Sequence, residues 1–199
     1  MMEIKKKPGY IFVKTMCDYV GALLLLAVTS PLLLVLVIMI KRDSEGPAIY
    51  RQERLGKNGK PFMMYKLRSM YVNAEENGPQ WAEKEDPRVT KVGQFLRKTR
   101  FDEIPQLINI LRHEMSLVGP RPERKIFRDE FIKTLPDFDD RLAVLPGISG
   151  YAQIRGGYDL TPAEKLKLDQ QYIQIRCVAL DVKISVQTVK IMLSHEGAR

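Results

Sequence analysis

Twenty-two consecutive residues, Tyr19 to Ile40 (YVGALLLLAVTSPLLLVLVIMI), carry no charge. As a single helix they measure roughly 33 Å at 1.5 Å per residue, enough to cross a bilayer core of about 30 Å. A helix this apolar in a soluble protein needs protein on every side, which one small domain hardly supplies, so the run predicts membrane insertion. It is too long for a cleaved signal peptide, and no small-residue cleavage site follows it. Thr29, Ser30 and Pro31 lie at its midpoint. A proline there has no N–H to give and its ring crowds the carbonyl four residues back, so a sharp bend is expected, with the hydroxyls serving the freed carbonyls. Lys5, Lys6, Lys7 and Lys14 precede the run, and Lys41, Arg42, Arg51 and Arg54 follow it. Basic flanks favour the cytoplasmic side. Two basic flanks fit a helix that enters, breaks at Ser30-Pro31 and leaves on the same side; the alternative is a plain kinked span.

After Lys41 the apolar positions become short and periodic. Strands are expected around 48–51 and 62–67, paired across the Lys57-Asn58-Gly59 turn. Residues 73–90 are polar and aperiodic, a surface loop whose Trp81 suits a membrane interface or a core equally. Helical periodicity returns from Val92 to Met115, interrupted near Phe101–Pro105, with a helix expected over 103–113. Gly119, Pro120 and Pro122 then break the chain. A helix is expected over 123–135, a glycine-rich loop over 145–159, and a helix from Thr161, where Thr161 and Glu164 form a capping box, to about Gln174. A last helix from Asp181 puts Val182, Val186, Val189 and Leu193 on one stripe. Several of these helices are basic and amphipathic, which suits an anionic leaflet as well as an ordinary solvated face.

Composition adds a direction. The 199 residues carry a net charge of +8 and a pI near 9.4. Such a surface selects anionic partners: nucleic acid, phospholipid head groups or a phosphorylated substrate. Cys17 and Cys177 are too far apart for a metal pair and are expected to be buried free thiols in a reducing compartment. His113 and His195 make neither a zinc pair nor a triad.

The chemistry concentrates in TRFDEIPQLINILR, residues 99–112. Asp102 and Glu103 stand among Arg97, Lys98 and Arg100, just before Pro105. Asp102 at the start of a helix can be a simple N-cap. A helix N-terminus with neighbouring cations is also a phosphate site, and such surroundings are expected to keep Asp102 ionised. A carboxylate there can hold Mg²⁺ or attack phosphorus once cations neutralise the phosphate oxygens. Arg121 sits on a rigid proline-bracketed backbone in PRPER, and YKLRS contributes Lys66 and Arg68. Arginine's planar fork suits a diphosphate. Neither a GxGxxG nor a Walker loop occurs.

Taken in order, TSPLLL, YRQERLGKNGKPFMMYKLRSM, DPRVTKVGQFLRKTRFDEIPQLINILRHEMSLVGPRPE and LPGISGYAQIRG resemble the small monotopic phosphoglycosyl transferases, a bacterial sugar transferase family. The resemblance covers nearly the whole chain, and D-E-x-P-Q followed by M-S-x-x-G-P-R-P is highly specific. It implies an α/β fold: a compact, mostly helical catalytic body (residues 43–199) with a small β-hairpin. A re-entrant membrane helix (residues 1–42), broken at Ser30-Pro31, and interfacial amphipathic helices complete it. It implies transfer of a sugar-1-phosphate from a UDP-sugar to undecaprenyl phosphate or another polyprenyl phosphate, with release of UMP. This is the first membrane step of exopolysaccharide, capsule, O-antigen or glycoprotein glycan assembly, at the cytoplasmic face of the bacterial inner membrane. Asp102 is then the nucleophile that forms a phosphosugar-aspartyl intermediate, and Glu103 assists. Mg²⁺ binds at Asp102. Lys66, Arg68, Arg97, Arg121, Arg155 and, less securely, Asp169 contact substrate. The partners implied are donor, acceptor and membrane lipid, without nucleic acid, and a homodimer is left open.

Two departures stand out. The family's usual arginine after the A-Q segment falls at Gly157; either Arg155, two residues earlier, supplies that cation or the donor pocket differs, and His113 stands where glycine is common. Larger relatives carry membrane helices before the catalytic part, so this chain looks like the minimal form. Two other readings compete. A basic membrane-attached binding module accounts for charge and apolar helix but not for the acidic pair beside Arg121. A UDP-sugar pyrophosphatase would use the same dyad with water as acceptor.

Overall fold

The computed structural model describes residues 6–76, 78–80 and 85–194, the side chains at 158 and 193 excepted. Lys5, Trp81 and His195 lie outside the described residues, as does the Leu193 side chain. Helix α1 runs from Pro8 to Asp43. Strands β1 (Ile49–Leu55) and β2 (Pro61–Leu67) form an antiparallel hairpin, in register from Ile49 opposite Leu67 to Leu55 opposite Pro61. The turn between them places Asn58 at φ 58, a left-handed conformation that asparagine tolerates. Then come α2 (Lys91–Thr99), α3 (Gln106–Leu111), β3 (Ser116–Val118), α4 (Lys125–Thr134), β4 (Gly147–Ser149), α5 (Pro162–Ile175) and α6 (Val178–Ser194). β3 and β4 pair in parallel, a two-strand sheet too short to give a sequence signal. The chain is mostly helical, as expected, and among the described residues one helix is long and apolar enough to cross a membrane.

At 36 residues α1 is about 54 Å long. Where a break was expected at Ser30-Pro31, the helix runs on from Pro8 to Asp43 with Pro31 inside it. Pro31 has no N–H for the Ala27 carbonyl, so Ser30 Oγ donates to it at 2.9 Å, and Thr29 Oγ1 donates to Leu25 O at 2.7 Å. One stripe of α1 packs on the body along its whole length. Ala22 and Leu26 join Phe62, Met64, Leu107, Ile110 and Met115. Further along, Leu36, Ile40 and Val37 join Ala48, Leu67, Leu96 and Phe101. The opposite face is bare: Val28 is 77% and Leu34 69% exposed.

Both ends of α1 are tied to the same body. Near its start, Tyr10 Oη donates to Asp181 Oδ2 at 2.8 Å and Lys14 pairs with the same oxygen at 3.1 Å. The Leu117 N–H donates to Asp18 Oδ1 at 3.0 Å. At its end, the Val92 N–H donates to Asp43 Oδ2 at 3.0 Å. Arg68 donates to the carbonyls of Ser44, at 2.7 Å, and Glu45.

Three expectations need correction. Cys17 and Cys177 are exposed: Cys17 lies beside exposed Met16 on the face of α1 turned from the body, and Cys177 lies in the break between α5 and α6. The last helix begins at Val178, and its Val182–Val186–Val189 stripe is more than half exposed, while Ile184 is fully buried. The helix expected over 103–113 is only α3, because Asp102 and Glu103 form a separate turn. The capping box is present: Thr161 Oγ1 accepts from the Glu164 N–H, and the Thr161 N–H donates to Glu164 Oε2. His113 sits at φ 59, a left-handed conformation that glycine adopts most easily.

Candidate active site

The site begins with the way α2 ends. Thr90 caps the helix by accepting from the Gly93 N–H at 3.0 Å. Gly93 lies so close to Ser69 that a Cβ would sit 1.9 Å from its carbonyl oxygen. Only glycine permits that approach, and it brings Arg97 Nε to 3.0 Å from Ser69 Oγ. Arg100, at φ 58, then stops the helix. A left-handed non-glycine residue costs on the order of 1 kcal/mol. The reversal throws the chain into a 3-10 turn, Phe101–Glu103, whose Phe101 packs beside α1 and edge-on to Phe95, ring centres 6.0 Å apart. Asp102 and Glu103 are carried on this turn, and no side-chain cap bond is made at its start or at that of α3. The N-cap reading of Asp102 therefore fails.

The two carboxylates are both buried but face different neighbours. Glu103 Oε1 accepts from Lys66 Nζ at 2.8 Å and from Arg121 Nη2 at 2.6 Å. Burial alone would raise its pKa. The two cations outweigh burial and hold the carboxyl far below the usual range. Asp102 Oδ2 lies 3.5 Å from Lys66 Nζ. Its pKa is raised, first by burial and then by the charge of Glu103, with Lys66, Arg121 and Arg97 working the other way. The cations near Asp102 in sequence do not lower its pKa on balance, because burial and the Glu103 charge outweigh them and Glu103 engages Lys66 and Arg121.

Arg121 is positioned through its backbone. Gly119 N–H donates to Ser149 O and Gly147 N–H to Pro120 O, each at 2.9 Å. Arg54 Nη1 donates to Pro122 O, and Arg141 Nη2 to Arg121 O, both at 3.0 Å. Arg141 is itself held by Asp169 Oδ2 at 2.7 Å (Nη2) and 3.1 Å (Nε). Burial opposes the Arg141 cation, yet Asp169 and Glu123 keep it above its ordinary range.

A cavity of about 1000 Å³ opens beside the dyad. Asp102, Lys66, Arg68, Arg97, Arg121 and Asp169 all line it, and Glu103 is not among the lining residues. Within this group the roles separate. Arg68 donates to main-chain carbonyls at the exit of α1, and Asp169 is engaged by Arg141. Arg155 is exposed and lies outside the cavity wall: its guanidinium stacks 4.6 Å above the Tyr151 ring and donates to Tyr151 Oη at 2.6 Å. Gly157 does line the wall, at φ +55, with no atom within 4 Å of an added Cβ. Sequence reasoning missed Arg141 and the polar wall of β1, where Gln52 Nε2 donates to Tyr50 Oη at 2.8 Å and Arg54 Nε to Gln52 Oε1 at 3.0 Å. The signal for the wall was present: Tyr50, Gln52 and Arg54 alternate with period two and share one face of a strand. Arg141 lies in the 3-10 segment Pro136–Ala143, which has no readable periodicity.

Among the described residues no three His, Cys, Asp or Glu side chains cluster as metal ligands. The donor set is instead one cavity-facing carboxylate beside a second. That suits Mg²⁺, which keeps waters and takes one or two carboxylates together with substrate phosphates.

A family model described as bacterial sugar transferase matches residues 9–195. The chain is 42% identical over 195 residues to UDP-N-acetylgalactosamine-undecaprenyl-phosphate N-acetylgalactosaminephosphotransferase of Aeromonas hydrophila, a match covering 96% of this chain and 46% of that protein. It is 41% identical over 192 residues to UDP-glucose:undecaprenyl-phosphate glucose-1-phosphate transferase of Caulobacter vibrioides, covering 93% of this chain and 71% of the relative. It is 39% identical over 202 residues to undecaprenyl-phosphate galactose phosphotransferase of Salmonella typhimurium, covering 94% and 42%. The chain thus spans under half the length of the first and third of these.

Proposed function

The chain belongs to the bacterial sugar transferase family, and from that premise we propose that it moves a sugar-1-phosphate from a UDP-sugar to a polyprenyl phosphate by double displacement at Asp102. The observation that carries this reading is the division of the dyad. Glu103 is bound by Lys66 and Arg121, while Asp102 lines the cavity. A buried carboxylate without its own hydrogen-bonded cation is a better nucleophile than one sealed in ion pairs.

In the first half-reaction an Asp102 oxygen bonds to the β-phosphorus of the donor, the bond from that phosphorus to the bridging oxygen breaks, and UMP leaves with the electron pair. Arg121 and Lys66 stand where they neutralise the phosphate oxygens, and Glu103 sets their positions. In the second, the acceptor phosphate displaces Asp102 and the free carboxylate returns. Mg²⁺, held at Asp102, would supply charge neutralisation on the diphosphate. The named relatives differ in sugar (N-acetylgalactosamine, glucose, galactose), and the donor of this chain is one of that class of UDP-sugars. The product primes a surface glycan.

The same geometry supports a reading of the membrane arrangement. The two ends of the apolar helix bond to one polar body, Tyr10 and Lys14 to Asp181 at one end and Asp43 to Val92 at the other. A body of this polarity stands on one side of a bilayer, which supports a helix entering and leaving one leaflet from the cytoplasmic side. Cysteines placed at positions 3 and 45 should both resist an impermeant thiol reagent added outside the cell; labelling of either one means a full span.

The activity is tested by offering the membrane-embedded protein UDP-N-acetylgalactosamine, UDP-glucose and UDP-galactose in turn and measuring UMP. Without polyprenyl phosphate, release should stop at about one UMP per enzyme; with it, release should continue and a glycolipid should accumulate. Continuous release without acceptor would identify a pyrophosphatase instead.

A further inference from the structure

We infer that the acceptor, a lipid phosphate monoester, reaches Asp102 along the C-terminal half of α1, and that Lys41 with Arg100 receives its phosphate. This rests on the double-displacement reading above and assigns it an entry side.

The cavity that holds Asp102 has walls from different parts of the chain. α4 and α5 contribute Phe127 and Lys165, whereas α1 contributes Val37 and Lys41, and Arg100 lines the cavity between α2 and the dyad turn. Phe101, one residue before Asp102, packs in the same apolar cluster as Val37, Leu36 and Ile40. The turn that carries the nucleophile is therefore packed, through Phe101, beside the last turns of α1. In those turns α1 presents Leu34, Val35, Ile38 and Met39 outward, between 38% and 69% exposed, a surface suited to hydrocarbon. Lys41 and Arg42 close the helix, at the level where hydrocarbon gives way to head groups. A lipid lying against this face would bring its phosphate level with Lys41, which lines the catalytic cavity.

The chemistry requires a cation there. The attacking group is an anion approaching a phosphosugar that is itself anionic, and Glu103 engages Lys66 and Arg121. The C-terminal end of α1 repels anions through its dipole, so an unassisted phosphate would be turned away. Lys41 and Arg100 reverse that sign. Arg68, bound to the Ser44 and Glu45 carbonyls, fixes the chain where it leaves the helix, and with it the place of Lys41. In the transfer, an ionised oxygen of the acceptor forms the new bond to phosphorus as the bond to the Asp102 oxygen breaks. The carboxylate is regenerated, and no proton or electron is left over.

The two half-reactions separate the entry sides. Full-length protein in lipid bilayers would be compared as wild type, Lys41→Ala, Lys41→Arg and, as a control, Arg42→Ala, the adjacent cation that is not a cavity-lining residue. The first turnover is read as UMP released from the preferred UDP-sugar without acceptor; the second as the KM for undecaprenyl phosphate. Lys41→Ala should raise the acceptor KM by about tenfold or more, the loss expected for one charge-assisted contact. Its first turnover and its KM for the UDP-sugar should stay within about twofold of wild type. Lys41→Arg should recover most of the acceptor affinity, and Arg42→Ala should leave it unchanged. An unchanged acceptor KM in Lys41→Ala, or an equal slowing of UMP release, overturns the assignment. Absence of any first turnover in the wild type overturns the double displacement beneath it, and that shows before acceptor is added.

Discussion

Removing either member of the Arg141–Asp169 pair should destabilise the protein far more than removing both. Arg141 and Asp169 are 4% and 2% exposed at their side chains and 2.7 Å apart. Arg141 also donates to the Arg121 carbonyl and approaches Glu123 Oε1 at 3.5 Å. Arg141→Met leaves the Asp169 carboxylate buried without its cation, and Asp169→Leu leaves a buried guanidinium with only Glu123. Each break should cost about 3–5 kcal/mol. In the double variant neither charge is stranded, and an apolar pair of similar volume fills the space. The desolvation cost disappears, and the total should fall well below the sum of the single losses, with a coupling of at least about 2 kcal/mol. For a chain of this length, 3–5 kcal/mol corresponds to a fall in Tm of roughly 6–20 °C. Thermal unfolding of the four proteins in detergent, followed by circular dichroism, measures the cycle. The double variant should recover thermal stability without recovering full activity, because Arg121 still lacks the bond from Arg141. Additive losses, or a silent single variant, would refute the claim that this pair is what holds the Arg121 loop.

Three further outcomes follow from the same geometry. Gly93→Ala puts a methyl 1.9 Å from the Ser69 carbonyl oxygen, so α2 must shift; a loss of about 1–3 kcal/mol is expected from thermal unfolding, with a fall in turnover because Arg97 leaves Ser69. Arg155→Ala should change turnover by no more than about twofold, since the side chain stacks on Tyr151 outside the cavity wall; a large rise in donor KM would restore it as a substrate contact. Chelation of divalent cations should suppress UMP release in the first turnover, and Mg²⁺ should restore it; full release in excess chelator would remove Mg²⁺ from the site.

Parts of this fold could be read because they obey local rules. The hairpin followed from Lys57-Asn58-Gly59, and α5 from the Thr161–Glu164 capping box. The long apolar helix α1 followed from the uncharged run Tyr19 to Ile40. The dyad could be located but not interpreted, because its electrostatics depend on which cation reaches which oxygen. Lys66 is 37 residues and Arg121 18 residues from Glu103, and both approach it through the hairpin and the proline loop. Sequence proximity instead suggested Arg97, Lys98 and Arg100 as the balancing charges of Asp102. Arg155 illustrates the same limit: it carries the right charge beside the right motif, yet it stacks on Tyr151 outside the cavity wall. The β3–β4 pair and the Arg141 bridge are products of long-range packing and leave no periodic trace.

Mass spectrometry on the protein, treated with its UDP-sugar in the absence of acceptor and digested, bears most directly on the nucleophile. The peptide containing Asp102 should carry the added mass of one sugar phosphate, which is lost when polyprenyl phosphate is supplied and never appears in Asp102→Asn. An unmodified Asp102 peptide, together with glycolipid formation that survives Asp102→Asn, would contradict it.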